Sequence, residues 1–335
     1  MAVVKANAYG HGLLPVARQL ANVDCLAVAR FAEARRLRDA GITTDIVVLS
    51  GPLASADLNV AHELDLQIAV HDQEQLSWLS SMTHSLSRIW LKVDTGMRRL
   101  GIYPDAVADC LERVRPCARR VGLMTHFASA DETESPTTEE QLSRFIPLAE
   151  QFDGDVSVAN SPGLLSWSEL LNRLAAVCDE HRLWIRPGLA LYGLSPFDNR
   201  SGADIGLMPA MQLESRLLSV KPIAAGDRVG YGGTWAAPSD TVLGVVAAGY
   251  GDGYSRHIPS GTPVLVNRRR VSVAGRISMD LTAVDLGADA TDQVGDPVIL
   301  WGDGLPVEEI AAAAGTIPYT LVTGVTHREP AIYED

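Results

Sequence analysis

The chain has 335 residues, 47% hydrophobic and 21% charged, a composition typical of globular proteins long enough for two domains. Its 28 Lys and Arg against 41 Asp and Glu give a net charge of −13, which argues against nucleic acid or an anionic membrane as the main partner. The four cysteines lack metal-ligand spacing, and we find neither a secretory signal nor an apolar run of transmembrane length. We therefore expect a cytoplasmic protein without a structural metal.

The first part of the chain alternates short apolar runs with segments of helical periodicity. Eight runs are predicted to be strands, at residues 2–6, 25–29, 46–50, 66–70, 89–94, 121–127, 156–160 and 184–187. Strands alternating with helices in this number predict an α/β fold, a (β/α)8 TIM-type barrel over residues 1–206. A doubly wound sheet is the alternative, but no G-x-G-x-x-G motif follows the first strand.

A second, mainly β domain is predicted at residues 207–335. A segment rich in Gly, Pro, Ser and Asp, residues 193–209, leads into it and is predicted to be a linker. One helix is predicted, at residues 307–314. The predicted strands lie at residues 213–220, 241–248, 263–266, 271–274, 281–285 and 297–301.

The count of helices is one short, because a linker rather than a helix follows the eighth strand. Either the linker covers the seam between strands eight and one, or an N-terminal helix is missing. In the second case, apolar side chains of the two strands should be exposed at the seam. Each exposed Å² would cost on the order of 25 cal/mol. The expectation is that this chain is less stable and less soluble than one extended upstream by the missing helix.

Polar residues follow several predicted strands, at the end where barrels of this kind place their active sites. They are Lys5, Lys92 with Arg99 beyond it, His126, Asn160 with Ser161, and Arg186 with Gly188. Lys5, at an apolar strand end, is either a snorkelling side chain or a lysine that bonds covalently to a carbonyl compound. Ser161 and Gly188 follow strands seven and eight, where barrels commonly bind phosphate. Together these residues suggest a phosphorylated aldehyde cofactor.

Residues 2–12, AVVKANAYGHG, resemble the pyridoxal-phosphate attachment motif of the alanine racemase family. The resemblance continues in order through residues 92–97, 125–127, 159–161, 186–188, 230–232, 249–253, 275–280 and 316–319. It implies a homodimeric isomerase that uses pyridoxal 5′-phosphate to interconvert L- and D-alanine. Such an enzyme provides D-alanine for peptidoglycan or serves alanine catabolism.

Racemisation requires removal of the Cα proton on one face and its return on the other, so two bases are needed. The resemblance implies that Lys5 is one base and that Tyr231, from the partner subunit, is the other. A phenol has an ordinary pKa of about 10 and needs help to act as a base near neutrality. The family pattern assigns that help to His126, held by Arg186, which also bonds the pyridine nitrogen.

The resemblance also assigns binding residues. The phosphate contacts fall on Tyr9, Ser161, Gly188, Leu189 and Tyr319, and the substrate-carboxylate contacts on Arg99 and Met279. Lys92, often carbamylated in the family, would hold Arg99; Asp280 has a supporting role, and Tyr250 and Arg256 lie at the substrate entrance. From the residues alone, Lys92 could instead form an internal salt bridge, Arg186 could lie on a surface loop, and Arg256 could be a solvated arginine.

Two other classes of protein remain as alternatives. A non-enzymatic barrel that binds pyridoxal phosphate would need neither the β domain nor Tyr231. A fold-related decarboxylase of basic amino acids would be longer and would place a catalytic cysteine in the β domain. All four cysteines of this chain lie in the predicted barrel.

Overall fold

The computed structural model describes residues 1–178, 183–198, 200–326, 328 and 331–334. The chain divides into two compact units. The barrel unit comprises residues Met1–Ala8 and Gly12–Leu191, and the β unit comprises Tyr9–His11 and Tyr192–Asp335.

Eight parallel strands form the sheet of the barrel unit, in the order β1 to β8. The two ends of the sheet meet through backbone hydrogen bonds, because Val3 N–H donates to the Pro187 carbonyl (3.0 Å) and the Met1 amino group to the Ile185 carbonyl (2.8 Å). The predicted (β/α)8 barrel is confirmed. Its strands are β1 Ala2–Val3, β2 Leu26–Val28, β3 Ile46–Val48, β4 Gln67–Val70, β5 Leu86–Lys92, β6 Ala118–Met124, β7 Asp155–Ser157 and β8 Leu183–Trp184.

Helices follow the first seven strands and cover the sheet. Their apolar residues recur at helical spacing, as in α5, which buries Val107, Cys110 and Val114. No helix among the residues that the structure describes is long and apolar enough to cross a membrane. The helices are α1 Leu13–Gln19, α2 Phe31–Asp39, α3 Ala56–Glu63, α4 Gln73–Leu79, α5 Val107–Val114, α6 Thr137–Glu150, and α7 Ser161–Ser166 with α8 Ser168–Val177.

The apolar side chains of β1 are buried and those of β8 are half-buried or buried, so the expectation of an exposed seam is wrong. Ala2 and Val3 of β1 are 3% and 4% exposed, and Trp184 of β8 is 6% exposed. Trp184 packs edge-on against Trp90 of β5, at 5.7 Å between ring centroids, with the Arg88 guanidinium 5.1 Å from each ring. Since β5 and β8 are not neighbours in the sheet, these side chains meet in the barrel interior, which Trp184 fills instead of facing solvent.

A closed antiparallel barrel of six strands forms the β unit, in the order β12-β15-β14-β13-β16-β9. The predicted strands are confirmed, but the prediction of a single helix is wrong, because Pro318–Gly324 forms a second one with proline at its start and glycine at its end. The elements are β9 Leu213–Ile223, β10 Arg228–Val229, β11 Trp235–Ala236, β12 Thr241–Val246, β13 Pro263–Val266, β14 Arg269–Val273, β15 Thr282–Gly287, β16 Pro297–Trp301, α9 Val307–Ala313 and α10 Pro318–Gly324.

Within the β unit, Gly10 allows a close approach to α10. Its φ is +83°, and a Cβ atom there would lie 1.9 Å from the Val322 carbonyl oxygen. We expect Gly10→Ala to lower the free energy of unfolding by about 3 kcal/mol or more, because backbone strain and a backbone clash add. Gly261→Ala is the control, since Gly261 has φ +90° with open space around its Cβ position and should lose only about 1 kcal/mol. Urea unfolding compares the two variants, and equal losses would contradict the clash.

Candidate active site

Lys5 lies just beyond β1, at the start of an unusual backbone turn. Ala6, Asn7, Ala8 and Tyr9 follow in the left-handed conformation, with φ between 51° and 55°. Such a conformation costs roughly 1–2 kcal/mol for each residue other than glycine. A run of four persists only when its surroundings hold it, and strain of this kind concentrates at functional sites.

Hydrogen bonds fix the turn. The Ala8 N–H donates to the Val4 carbonyl (2.9 Å), and the Leu13 N–H donates to Asn7 Oδ1 (3.0 Å). The Ala6 N–H donates to Oε1 of Glu33 (2.7 Å), on α2. The sequence analysis predicted a strand to Ala6 and gave Glu33 no role.

The Lys5 amine is surrounded mainly by positive charge. Burial lowers its pKa, and the charges of Arg99 and Arg186 lower it further, while Glu33 acts in the opposite direction. A lowered pKa increases the fraction of neutral, nucleophilic amine. The environment therefore favours a reactive lysine over a solvated one.

Lys92, the last residue of β5, is buried and forms no salt bridge with any described residue. Burial lowers its pKa to about 8, together with the charges of Arg186, Arg99 and Lys5. The neighbouring Asp94 carboxylate instead accepts the N–H groups of the turn after β5. The structure thus gives no support to the salt-bridge alternative for Lys92.

Arg186 is buried, so the surface-loop alternative is wrong. Its Nη1 donates to Ser157 Oγ (2.5 Å), and its Nη2 donates to the carbonyls of Thr125 (2.5 Å) and Val158 (3.0 Å). Burial lowers its pKa to about 9, which leaves the guanidinium charged at pH 7. Its Nε has no hydrogen-bond partner within the described part of the chain, so one donor remains for a ligand.

His126 receives its orientation from Arg186, whose Nη2 lies 3.3 Å from His126 Nδ1. A guanidinium only donates, so Nδ1 accepts and the ring hydrogen lies on Nε2. Burial and the surrounding positive charges, Arg186 first, hold the His126 pKa well below its usual range. The imidazole is therefore neutral at pH 7 and presents Nε2–H as a donor.

Gln141 of α6 fixes the loop that carries His126, a role that the sequence analysis missed. Its Nε2 donates to the His126 carbonyl (2.9 Å) and to Thr95 Oγ1 (3.3 Å), and its Oε1 accepts the Ala128 N–H (2.8 Å). The loops after β5 and β6 are thereby joined. An inward glutamine on a helix gives no sequence signal for such a contact.

Ser161 begins α7 and is buried. Its Oγ accepts the backbone N–H groups of Gly188 (2.9 Å) and Ala190 (3.2 Å), on the two sides of Leu189. Because the oxygen accepts two bonds, the hydroxyl hydrogen is left to donate. This geometry suits an anionic group such as a phosphate.

In the β unit, Tyr9 and Tyr319 belong to an aromatic cluster with Tyr192 and His11. Tyr9 stacks on Tyr192 at 5.0 Å and lies 5.8 Å from Tyr319, and His11 stacks on Tyr192 at 4.5 Å. Burial raises the pKa of Tyr9, so its hydroxyl stays protonated as a donor. The sequence analysis assigned no role to His11 or Tyr192.

The remaining predicted residues lie on exposed loops of the β unit. Tyr231 and Met279 are 66% and 54% exposed, and the loop of Tyr250 is bonded to that of Met279 through Gly251 N–H (2.7 Å). The Arg256 guanidinium is 5.8 Å from the Tyr250 ring centroid. It also donates to a carbonyl, so it is exposed but not free in solvent.

Asp280 forms an ion pair with Arg328 at 2.7 Å, and Arg328 also pairs with Asp252 at 3.3 Å. The sequence analysis gave no role to Arg328. Its two acidic partners lie on separate loops, so the arginine joins them.

Two groups of predicted residues thus emerge, one in each unit. The barrel unit contains a cluster of four cationic side chains, called here the cation cluster: Lys5, Lys92, Arg99 and Arg186. Their charges lower the pKa values of the two lysines and of His126. A cluster of cations with a neutral imidazole suits an anionic ligand and proton transfer. These features define a barrel protein whose first strand leads into a lysine with a lowered pKa.

Two family models match the chain: "Alanine racemase, N-terminal domain" over residues 1–196 and "Alanine racemase, C-terminal domain" over residues 210–333. The alanine racemase of Aeromonas hydrophila is 49% identical over 332 residues, which cover 98% of this chain and 90% of that protein. The crystal structure of the biosynthetic alanine racemase from Pseudomonas aeruginosa superposes with a TM-score of 0.92 at 42% identity, covering 100% of this chain and 92% of that one.

The chain belongs to the alanine racemase family. It is a racemase, an isomerase of a family that depends on pyridoxal phosphate.

Proposed function

We propose that this chain interconverts L- and D-alanine with pyridoxal 5′-phosphate attached covalently to Lys5. The observation that carries the proposal is the cation cluster with neutral His126 at the strand ends of the barrel. Lys5 there has a lowered pKa, as a lysine that bonds to a carbonyl requires. The name of the Aeromonas hydrophila relative supports alanine as the substrate.

The residues present fit this cofactor. The unpartnered Arg186 Nε would donate to the pyridine nitrogen, and the Ser161 hydroxyl and the Gly188 and Leu189 backbone would hold the phosphate, with Tyr9 and Tyr319 as further donors. When bound, the cofactor supplies an electron sink that acidifies the Cα–H bond of an amino acid. Arg186, which stays protonated beside the ring nitrogen, keeps that sink weak and so discourages side reactions.

Two bases then exchange the Cα proton. The Lys5 amine, freed when the substrate amine replaces it on the cofactor, would take or return the proton on one face, and Tyr231 would do so on the other. His126 supports Tyr231, because its Nε2–H can donate to the phenol oxygen and stabilise that oxygen after proton loss. Arg99 and the Met279 backbone bind the substrate carboxylate.

Lys92 is proposed to hold Arg99 in place as a carbamate. Carbamylation requires a neutral amine, and the Lys92 pKa of about 8 provides a substantial neutral fraction near neutral pH. The resulting carboxylate would also neutralise part of the cation cluster.

The active form is proposed to be a homodimer in which residues 207–335 of one subunit supply Tyr231 to the other. The exposed Tyr231 and Met279 side chains support this proposal. Asp280 is proposed to support the loop of Met279, and Tyr250 and Arg256 to border the substrate entrance. The four free cysteines fit the proposed cytoplasmic location.

Conversion of L-alanine in the presence of pyridoxal phosphate, followed by circular dichroism, tests the function. The expected result is loss of the signal until both enantiomers are equal, with D-alanine recovered. Release of carbon dioxide would indicate the decarboxylase alternative. That alternative needs a catalytic cysteine in the β unit, whereas all four cysteines of this chain lie in the barrel unit. Cofactor binding without turnover would indicate the non-enzymatic alternative.

A further inference from the structure

We propose that Glu33 is a positioning residue for the reaction: it holds the left-handed turn after Lys5 and thereby fixes the orientation of the Lys5 side chain relative to that turn. This inference rests on the proposed role of Lys5. Glu33 itself contacts neither substrate nor cofactor in the proposal.

The Glu33 carboxylate joins two separate loops. Its Oε2 accepts the N–H groups of Ala29 (2.9 Å) and Arg30 (3.0 Å), where β2 leads into α2. Its Oε1 accepts the N–H of Ala6, at 2.7 Å, the residue that follows Lys5. Bonds to an ionised acceptor are the short, strong kind.

The hydrogen bond from the Ala6 N–H to Glu33 acts on the backbone of Lys5. The peptide group that carries this N–H also contains the Lys5 carbonyl, so its orientation sets the backbone angle ψ of Lys5. That angle sets how the turn lies relative to the Lys5 side chain. Ala6 is exposed, and water would compete for its N–H if the carboxylate were absent. Of the left-handed residues that follow, only Asn7 adopts this conformation readily, and the alanines and Tyr9 do not.

The chemistry of the contact selects glutamate. A glutamine offers one acceptor oxygen and a donor NH₂, so it would place the NH₂ against at least one N–H donor. An aspartate keeps the charge but is one methylene shorter and cannot span both loops without movement. Glu33 is also the carboxylate that acts on the Lys5 amine, against the positive charges of Arg99 and Arg186.

Amide hydrogen exchange at Ala6 in the full-length protein tests the contact directly. In Glu33→Gln, exchange at Ala6 should accelerate at least tenfold. The control is Asp57→Asn, because Asp57 accepts the N–H groups of Leu53 (2.8 Å) and Ala54 (3.1 Å) before α3 in the same manner. That variant should leave exchange at Ala6 unchanged, and unchanged exchange in Glu33→Gln would overturn the proposal.

Two further measurements separate positioning from general stability. In Glu33→Gln, covalent loading of pyridoxal phosphate should slow at least tenfold. Its kcat should fall by a similar factor with KM within about threefold, whereas Asp57→Asn should keep the loading rate and kcat of the wild type.

The pH midpoint for chemical modification of the Lys5 amine, measured without cofactor, should move downward in Glu33→Gln. The reason is that the negative charge of Glu33, which raises the Lys5 pKa, is lost. Glu33→Asp keeps the charge on a shorter side chain. It should therefore show Ala6 exchange faster than wild type, with a smaller shift of the pH midpoint than Glu33→Gln. It serves as the second variant if Glu33→Gln does not fold.

The outcomes also separate this inference from the proposed function. If the cofactor of the wild-type protein attaches elsewhere, the role of Lys5 fails, whatever the exchange at Ala6. If it attaches to Lys5 and loading by Glu33→Gln equals wild type, the positioning role fails alone.

Discussion

Replacement of Lys5 by alanine is expected to abolish both racemisation and covalent attachment of the cofactor. An acid–base residue contributes on the order of 10²–10⁴-fold to a rate, and Lys5 is proposed to attach the cofactor as well, so the loss should reach or exceed about 10⁴-fold. Borohydride reduction of the loaded wild-type protein, with peptide mapping, locates the attachment. The label is expected on Lys5 only.

The chain makes this measurement simple, because its only lysines are Lys5, Lys92 and Lys221. Lys221 is exposed on β9, and Lys221→Ala serves as the control that should retain activity and label. A label on Lys92 would show that the second buried amine, not Lys5, is the attachment site. Full activity of Lys5→Ala would exclude the proposed chemistry altogether.

In the barrel unit, the sequence pointed to candidate site residues that stand at or just after the end of a predicted strand. Lys5, Lys92, His126 and Arg186 were predicted to lie together because each follows or ends an apolar run, and parallel strands end on one side of a barrel. In the structure their charges do influence one another, and their roles in the reaction stay predictions. The fold class was predicted from the same alternation of strands and helices, and the structure confirmed it. Strand ends were placed several residues late at Lys5, since a left-handed turn of alanine, asparagine and tyrosine has no signature as clear as glycine.

Contacts across the barrel could not be predicted in this way. The exposed seam was expected because helices were counted, but in the structure Trp184 packs against Trp90 inside the barrel and the adjacent Leu183 is half-buried. Likewise, Gln141 and Glu33 form hydrogen bonds with residues that are distant from them in sequence. Their partners are known only once the strands are assembled.

Replacement of Tyr231 by phenylalanine is expected to lower the turnover of L-alanine at least about 100-fold, while the cofactor still attaches to Lys5. The phenol oxygen is the only heavy atom lost, and the ring remains. Tyr333→Phe is the matched control and should retain turnover, because Tyr333 is also an exposed tyrosine of the β unit and has no proposed role. Racemisation by Tyr231→Phe within about threefold of wild type would exclude Tyr231 as a base.

Mixing the two inactive variants decides whether Tyr231 acts on the partner's cofactor. In a two-fold dimer with shared sites, a Lys5→Ala subunit paired with a Tyr231→Phe subunit forms one site with both defects and one intact site. Random exchange gives mixed dimers in half of the population, so about a quarter of the wild-type activity should return. If each subunit instead contained its own complete site, every site would carry one defect and no activity would return. Mass spectrometry of the mixture confirms that subunits have exchanged, so that an absence of recovery counts against the shared site.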